Sequence, residues 1–239
     1  MIEILNLTQN FGKKNALDCI SLILKSGEVV ALIGENGAGK STLMRIICGY
    51  LKSTSGSVHI FGNNIETNRI EALQHIGYVP EISSLYADMT VFDFLKWVAG
   101  LWNIADFNDA IANAASQMQI LDVLADKIET LSKGYKKRVE IAAAILHQPD
   151  ILILDEPTDG LDPNQKQHIR NFMKSYAKKN LVLVSTHVLE DAEIANRILM
   201  LSHGKLIGNM PMKDFKKISQ TGNLNDAFRI LSSAKKEKK

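Results

Sequence analysis

The sequence predicts an α/β fold: a mostly parallel sheet built around a phosphate-binding loop, with an α-helical subdomain inserted into it. Three observations carry this. Gly34-Glu35-Asn36-Gly37-Ala38-Gly39-Lys40-Ser41-Thr42 lies between an apolar run at 29–33 and a helically spaced apolar stretch at 43–47. That is the strand–loop–helix context a phosphate loop needs. Residues 151–154 and 181–184 are unbroken apolar runs, as expected of parallel strands buried on both faces. From about 90 to 126 the β-branched runs vanish and the apolar spacing turns helical, with Val91, Leu95, Val98 and Trp102 in one series and Ile111, Ala115 and Met118 in another.

The remaining elements follow in order. Residues 1–7 alternate apolar and polar and read as a strand, with Phe11-Gly12-Lys13 in a loop after it. Residues 17–24 alternate again, and Lys25-Ser26-Gly27-Glu28 turns the chain into the strand before the phosphate loop. Residues 53–57 read as a turn, 58–61 as a short strand ending at Gly62-Asn63-Asn64, and 76–79 as a buried strand that breaks at Pro80. Within the helical stretch, Trp97 and Trp102 read as packing residues. Leu131-Ser132-Lys133-Gly134-Tyr135 opens a helix to about His147, with Ser132 placed as its N-cap. A helix at about 164–179, a helical segment at 189–195 and a hairpin about His203-Gly204 complete the core. The last 25 or so residues form a short amphipathic stretch and a basic end, Lys235-Lys236-Glu237-Lys238-Lys239, expected to be frayed and solvated.

Composition bounds the function. The chain has 239 residues, 46% hydrophobic and 23% charged, enough for one large α/β domain or two small ones. A net charge of +2 gives no nucleic-acid footprint. No apolar run reaches the roughly 18–20 residues of a transmembrane helix, and the N-terminus lacks the pattern of a signal peptide, so a cytosolic chain is expected. Cys19 and Cys48 form no C-x-x-C pair and are expected to be buried apolar residues. The six histidines lack zinc-ligand spacing, so no structural metal is expected.

The chemistry starts at the phosphate loop. Its glycines let several backbone N–H groups point into one hollow, and the following helix adds unpaired N–H groups and its positive dipole end. Lys40 is expected at the β- and γ-phosphates, Ser41 on Mg²⁺, and Thr42 on an adjacent phosphate. Asp155 and Glu156 end a buried strand, where ligands bind in open α/β sheets. Asp155 would hold Mg²⁺, directly or through water, and Glu156 would act as general base on the attacking water. His187 ends another buried strand and is read as a γ-phosphate contact that positions that water. Ser132 and Gly134, at a helix start, make a second anion site. One chain has one nucleotide to hold, so the second site calls for a second molecule.

In this order the motifs resemble those of the nucleotide-binding subunit of ATP-binding cassette (ABC) transporters, over about residues 1–215. Gly34 to Thr42 matches the Walker A loop, and Leu131–Tyr135 is similar to the family signature. Residues 151–156 match Walker B with its catalytic glutamate, Gly160-Leu161-Asp162 resembles the D-loop, and His187 matches the switch histidine. The resemblance implies an ABC ATPase-like fold: a P-loop NTPase core with an antiparallel N-terminal β part, and a helical subdomain at about 83–140. It implies ATP and Mg²⁺ as ligands, Phe11 stacking on adenine, and Asp162 as the D-loop aspartate. Two such domains would dimerise head to tail, as a homodimer or heterodimer, with Ser132, Lys133 and Gly134 of one closing on the γ-phosphate held by the other. Residues 216–239 would be a short C-terminal extension.

Two departures from the family pattern bear on chemistry. Lys133 and Tyr135 replace the usual Gly and Gln of the signature, and Lys133 adds positive charge near the γ-phosphate. Glu81 stands at the Q-loop glutamine and is expected to ligand Mg²⁺ beside Ser41 and Asp155. The wording of the motifs is similar to ABC-2-type export systems, including the gliding-motility-associated branch. The implied role is an ATPase that powers transport, in the export direction, through separate transmembrane permease subunits. Its implied location is the cytoplasmic face of the inner (plasma) membrane, held peripherally by those partners and without nucleic acid. A soluble ABC-type ATPase acting on nucleic acid or ribosomes is the alternative. It would carry paired cassettes, coiled-coil or zinc insertions that this chain lacks. An unrelated P-loop kinase or GTPase would need neither the 131–135 segment nor His187.

Overall fold

The computed structural model describes residues 1–82, 85–219 and 221–234, with the side chain of the last excepted. The basic end at 235–239 lies outside the described residues, as do Ser83 and Ser84 at the start of the expected helical insertion.

Strands β1 (Ile2–Phe11) and β2 (Lys14–Leu24) form a hairpin about Gly12-Lys13. Strand β3 (Glu28–Ile33) leads through the phosphate loop into α1 (Lys40–Ile47). Then come β4 (Ser55–Ile60), the two-residue β5 (Asn63–Asn64), α2 (Arg69–Leu73) and β6 (Ile76–Val79). Helices α3 (Val91–Leu101), α4 (Phe107–Met118) and α5 (Lys133–Ile145) separate β6 from β7 (Ile151–Asp155). The chain continues through α6 (Pro163–Tyr176), β8 (Leu181–Thr186), α7 (Leu189–Ala192), β9 (Arg197–Ser202), β10 (Lys205–Pro211), α8 (Met212–Lys216) and α9 (Leu224–Ala234).

Two sheets result. The antiparallel one has the order β2-β1-β4-β5, and the larger one β10-β9-β3-β8-β7-β6. In the larger sheet every pairing from β9 to β6 is parallel, and only β10 runs against its neighbour. Its central strands are buried on both faces, which explains their unbroken apolar runs. Val29, Ala31 and Ile33 of β3, with Leu152 and Leu154 of β7, join the core under the helices α3 to α5. Val30 and Leu32, with Ile151 and Ile153, face α1 and the inner side of the antiparallel sheet. The molecule is thus layered, with the large sheet in the middle. The parallel strands β3, β7 and β8 end on one edge, and the phosphate loop, Glu156 and His187 all follow those ends.

Several expectations shift. Phe11 ends β1 and pairs with Lys14, where a loop was expected, so the turn has only two residues. The expected turn at 53–57 is partly strand, because β4 begins at Ser55 to pair with Thr8. The helical stretch at 90–126 is two helices, parted where Asn103 takes a left-handed backbone (φ 52°). Helix α7 stops at Ala192, short of the expected 195, and β10 runs on to Pro211. Cys48 is buried as expected, and burial raises its thiol well above the ordinary range, so it is a packing residue. Cys19 is exposed, on a left-handed irregularity of β2. Among the described residues no helix is long and apolar enough to cross a membrane.

Candidate nucleotide site

The phosphate loop is built by backbone conformations that its glycines permit. Gly37 and Gly39 have φ of +79° and +109°, which L side chains rarely adopt. Gly39 is also pressed against β2: a Cβ there would sit 2.6 Å from the Ala16 carbonyl oxygen. The loop closes on itself through Ala38 N–H donating to Glu35 O at 3.1 Å, and Leu43 N–H donates to Gly39 O at 2.9 Å as α1 starts. Lys40 is buried, with its ammonium donating to Gly34 O at 2.8 Å and to Glu35 O at 3.4 Å. The loop therefore presents a lysine bent over a hollow of backbone donors, the arrangement that suits a phosphate chain.

A cavity of about 500 Å³ opens over this loop. Asn36 to Thr42 floor it, Phe11 flanks it, and Glu81, Glu156 and His187 close the far side. Gly34 stands behind the cavity instead of lining it; its close packing on the Leu201 carbonyl leaves no room for a side chain. Phe11 is half exposed at the mouth, so one ring face is free for a planar base.

Glu156 owes its position to its backbone. It follows Asp155 at the end of β7 in a left-handed conformation (φ 48°), an uncommon one for a non-glycine residue. Its N–H is held by Ser185, from the carbonyl at 3.3 Å and from Oγ at 3.2 Å. Its carboxylate Oε2 lies 3.0 Å from His187 Nδ1 and accepts from the His187 backbone N–H at 3.3 Å. The two residues expected to handle the attacking water are thus in direct contact. Ser185, buried on β8 opposite Asp155, also donates from Oγ to Asp155 Oδ1.

The oxygens of Ser41, Asp155 and Glu81 are hard donors suited to Mg²⁺. Asp155 is almost fully buried, and the Ser185 bond occupies one of its two carboxylate oxygens. Among the described residues no group of three or more His, Cys, Asp or Glu could hold a metal ion. Ser41 and Glu81 line the cavity and Asp155 is not among its lining residues; the first two could meet a cation that arrives with phosphate oxygens and water.

The signature residues lie elsewhere. Ser132 caps α5, its Oγ accepting from Tyr135 N–H at 3.3 Å, as the sequence predicts. The Gln165 side chain lies over Gly134 so closely that a Cβ there would be 2.2 Å from it. Lys133 pairs with Asp159 at 3.4 Å and borders a small polar cavity shared with Glu81 and Glu156. Neither Ser132 nor Gly134 lines the phosphate cavity of its own chain. Asp162 is the N-cap of α6, accepting from Asn164 and Gln165 N–H groups at 3.0 Å each.

Sequence reasoning missed Ser185, Asp159 and Asp191. Asp191 is buried, accepts from Thr158 Oγ1 at 2.6 Å and pairs with Arg170, tying the loop after Glu156 to α6 and α7. Only strand register and tertiary contact reveal these three.

Comparison with known proteins agrees with this geometry. The family model described as ABC transporter matches residues 17–159. The chain is 34% identical over 219 residues to "Probable multidrug ABC transporter ATP-binding protein YbhF" of Escherichia coli, covering 90% of this chain and 38% of that protein. It is also 34% identical to "Bacitracin transport ATP-binding protein BcrA" of Bacillus licheniformis, over 91% of this chain and 72% of that one. It spans less than half the length of YbhF and most of BcrA. Among solved structures, an "ATP binding subunit of ABC transporter" superposes with a TM-score of 0.87 at 26% identity, covering 97% of this chain and 99% of that one. A dimeric ATP-binding cassette in a post-hydrolysis state, bound to ADP and Pi, gives 0.80 at 25% identity, covering 88% and 98%.

Proposed function

This chain belongs to the ABC transporter family, and from that premise we propose that it is an ATP-binding and ATP-hydrolysing subunit that powers transport, in the export direction, through separate transmembrane partners. The observation that carries the reading is the Glu156–His187 contact at the ends of β7 and β8, facing the phosphate loop across one cavity. In this reading the loop and Lys40 hold the β- and γ-phosphates of ATP, and Phe11 stacks on the adenine. Ser41 and Asp155, with Glu81, would hold Mg²⁺, which draws charge from the phosphates. Glu156 takes a proton from the attacking water. His187 keeps the Glu156 carboxylate in place and contacts the γ-phosphate.

Two chains would complete two sites. Ser132 and Gly134 stand at a helix start outside the cavity of their own chain, which supports a role on the ATP of a second chain; Lys133 pairs with Asp159 at the border of its own cavity and would have to leave that partner to act there. ATP bound between two such faces favours the closed pair because only that state uses both sets of donors, and hydrolysis removes the preference.

The membrane partner has a place to dock. A cavity of about 500 Å³ lies beside Pro80 and the helices α3 and α5, edged by Tyr50, Tyr86, Trp97 and Trp102. Of its lining residues Tyr50 and Tyr86 are more than half exposed, and Trp97 and Trp102 are 41% and 39% exposed; exposed apolar side chains gathered at one groove mark an interaction surface. A segment of the permease seated there would touch the Glu81 region on one side and α3 on the other, linking the nucleotide site to the membrane. The chain would then sit peripherally on the cytoplasmic face of the plasma membrane.

The test is a pull-down of the tagged chain from detergent-solubilised membranes of its host, beside a Trp97→Ala/Trp102→Ala variant. Recovery of a multi-span membrane protein by the wild type and its loss from the variant is the expected result. Recovery of ribosomes, nucleic acid or soluble proteins alone would replace the transporter reading with that of a soluble ATPase.

A further inference from the structure

Lys14 is a cationic side chain at the nucleotide cavity that no motif assigns. It opens β2 directly opposite Phe11, across the two-residue turn. Cross-strand partners share a face of the sheet, so Lys14 and Phe11 point the same way. Both line the cavity over the phosphate loop. Ala16, two residues further along β2, lies on that same face and lines the cavity too. Its carbonyl is the group against which Gly39 is packed. Two residues of strand span about 6–7 Å. Lys14 is therefore that distance outward from the loop, on the path from the phosphate hollow to the Phe11 ring.

Charge makes this position matter. The cavity is bordered by Glu81, Glu156 and Asp159 against Lys40 and Lys14; Asp159 is already paired with Lys133, so without Lys14 two carboxylates face Lys40 alone. Lys40 is committed to the inner end, over Gly34 and Glu35. Among the described residues Lys14 has no carboxylate within ion-pair distance, whereas the nearby Lys205 is paired with Asp18 at 3.1 Å. We propose that Lys14 is a nucleotide-binding residue, its ammonium contacting the α-phosphate of the bound adenine nucleotide between the stacked base and the loop. The inference rests on the reading of this cavity as an ATP site and adds a contact to it.

An α-phosphate contact is made equally by ATP and ADP, and that separates it from a γ-phosphate contact. Titration calorimetry of the full chain with ATP and with ADP should show Lys14→Ala weakening both by about threefold. Lys14→Glu, which reverses the charge, should weaken both by about tenfold. Lys14→Arg should bind both as the wild type does. In turnover assays the loss should fall on KM, and raised ionic strength should shrink the difference between wild type and Lys14→Ala. Equal affinities of wild type and Lys14→Glu for both nucleotides would overturn the proposal. Weakening of ATP with ADP unchanged would also overturn it, by moving the contact to the γ-phosphate. A wild type that binds neither nucleotide would instead defeat the ATP-site reading itself.

Discussion

Glu156 is held by its backbone before its carboxylate takes part in anything. A left-handed non-glycine residue costs on the order of 1–3 kcal/mol, and here Ser185 compensates by binding the Glu156 N–H from two sides. The carboxylate is then fixed by two contacts from His187, so the protein itself orients the proposed base. Glu81 differs, being exposed at the cavity wall. As a proposed Mg²⁺ ligand its carboxylate would repel the γ-phosphate whenever the metal is absent. Glu81→Gln should therefore retain ATP binding while changing the Mg²⁺ dependence of hydrolysis. Superimposable Mg²⁺ titration curves of turnover for the two proteins would remove Glu81 from the metal site. At this scale position was legible in the sequence where residues follow strand ends: Lys40, Glu156 and His187 line one cavity, and Asp155 is buried at the end of β7 next to Glu156 in the chain. Ser185 was not, because a serine closing an apolar strand carries no signal until register sets it opposite Asp155.

Among the elements, α5 joins the two functional faces. Its N-terminus carries the signature residues, and the residue two beyond its end, His147, packs under the docking groove. His147 Nε2 meets the Ile76 carbonyl at 3.0 Å, its Nδ1 is buried without a partner, and Trp102 stacks on the ring at 3.7 Å. Burial lowers its pKa from 6.5 to about 4, against a smaller opposing effect of the Ile76 hydrogen bond. The unfolded chain thus binds a proton that the folded chain refuses between those values. Stability from this group is complete above pH 6.5 and is lost as pH falls toward about 4. His147→Gln should lose less thermal stability than the wild type between pH 7 and pH 5, as read by calorimetric melting; parallel losses would show that His147 is not the group responsible. The periodicity that placed Val91 and Leu95 in the core was sound. It did not show that Trp102 lies on a groove rim, because a repeat identifies a face and not what covers it. Nor did it show the break between α3 and α4, where Asn103 supplies the left-handed turn just past Gly100. The two-residue β5 and the single-turn α2 are too short for any period to register.

The whole molecule presents a nucleotide cavity and a signature whose Ser132 and Gly134 do not line it, Lys133 alone meeting its border through Asp159. The layered fold explains both: the parallel strand ends gather the phosphate loop, Glu156 and His187, while the helices between β6 and β7 carry Ser132 and Gly134 to a separate cap. This architecture was readable from the order of motifs, but the hairpin register that brings Phe11 and Lys14 together was not, because it depends on a turn of two residues where a longer loop was expected. The helix α9 likewise packs into the main core through Leu224 and Ala227, although the sequence marked it only as an amphipathic extension. The central claim is that two such chains close on ATP and that Glu156 then drives its hydrolysis. The most direct test follows molar mass by light scattering, together with phosphate release, for wild type and Glu156→Gln with Mg²⁺-ATP and with ADP. The account predicts that Glu156→Gln binds ATP, accumulates as a dimer with ATP and not with ADP, and releases phosphate at least about a hundredfold more slowly than wild type. A Glu156→Gln protein that turns over ATP at the wild-type rate, or stays monomeric with ATP bound, would contradict it.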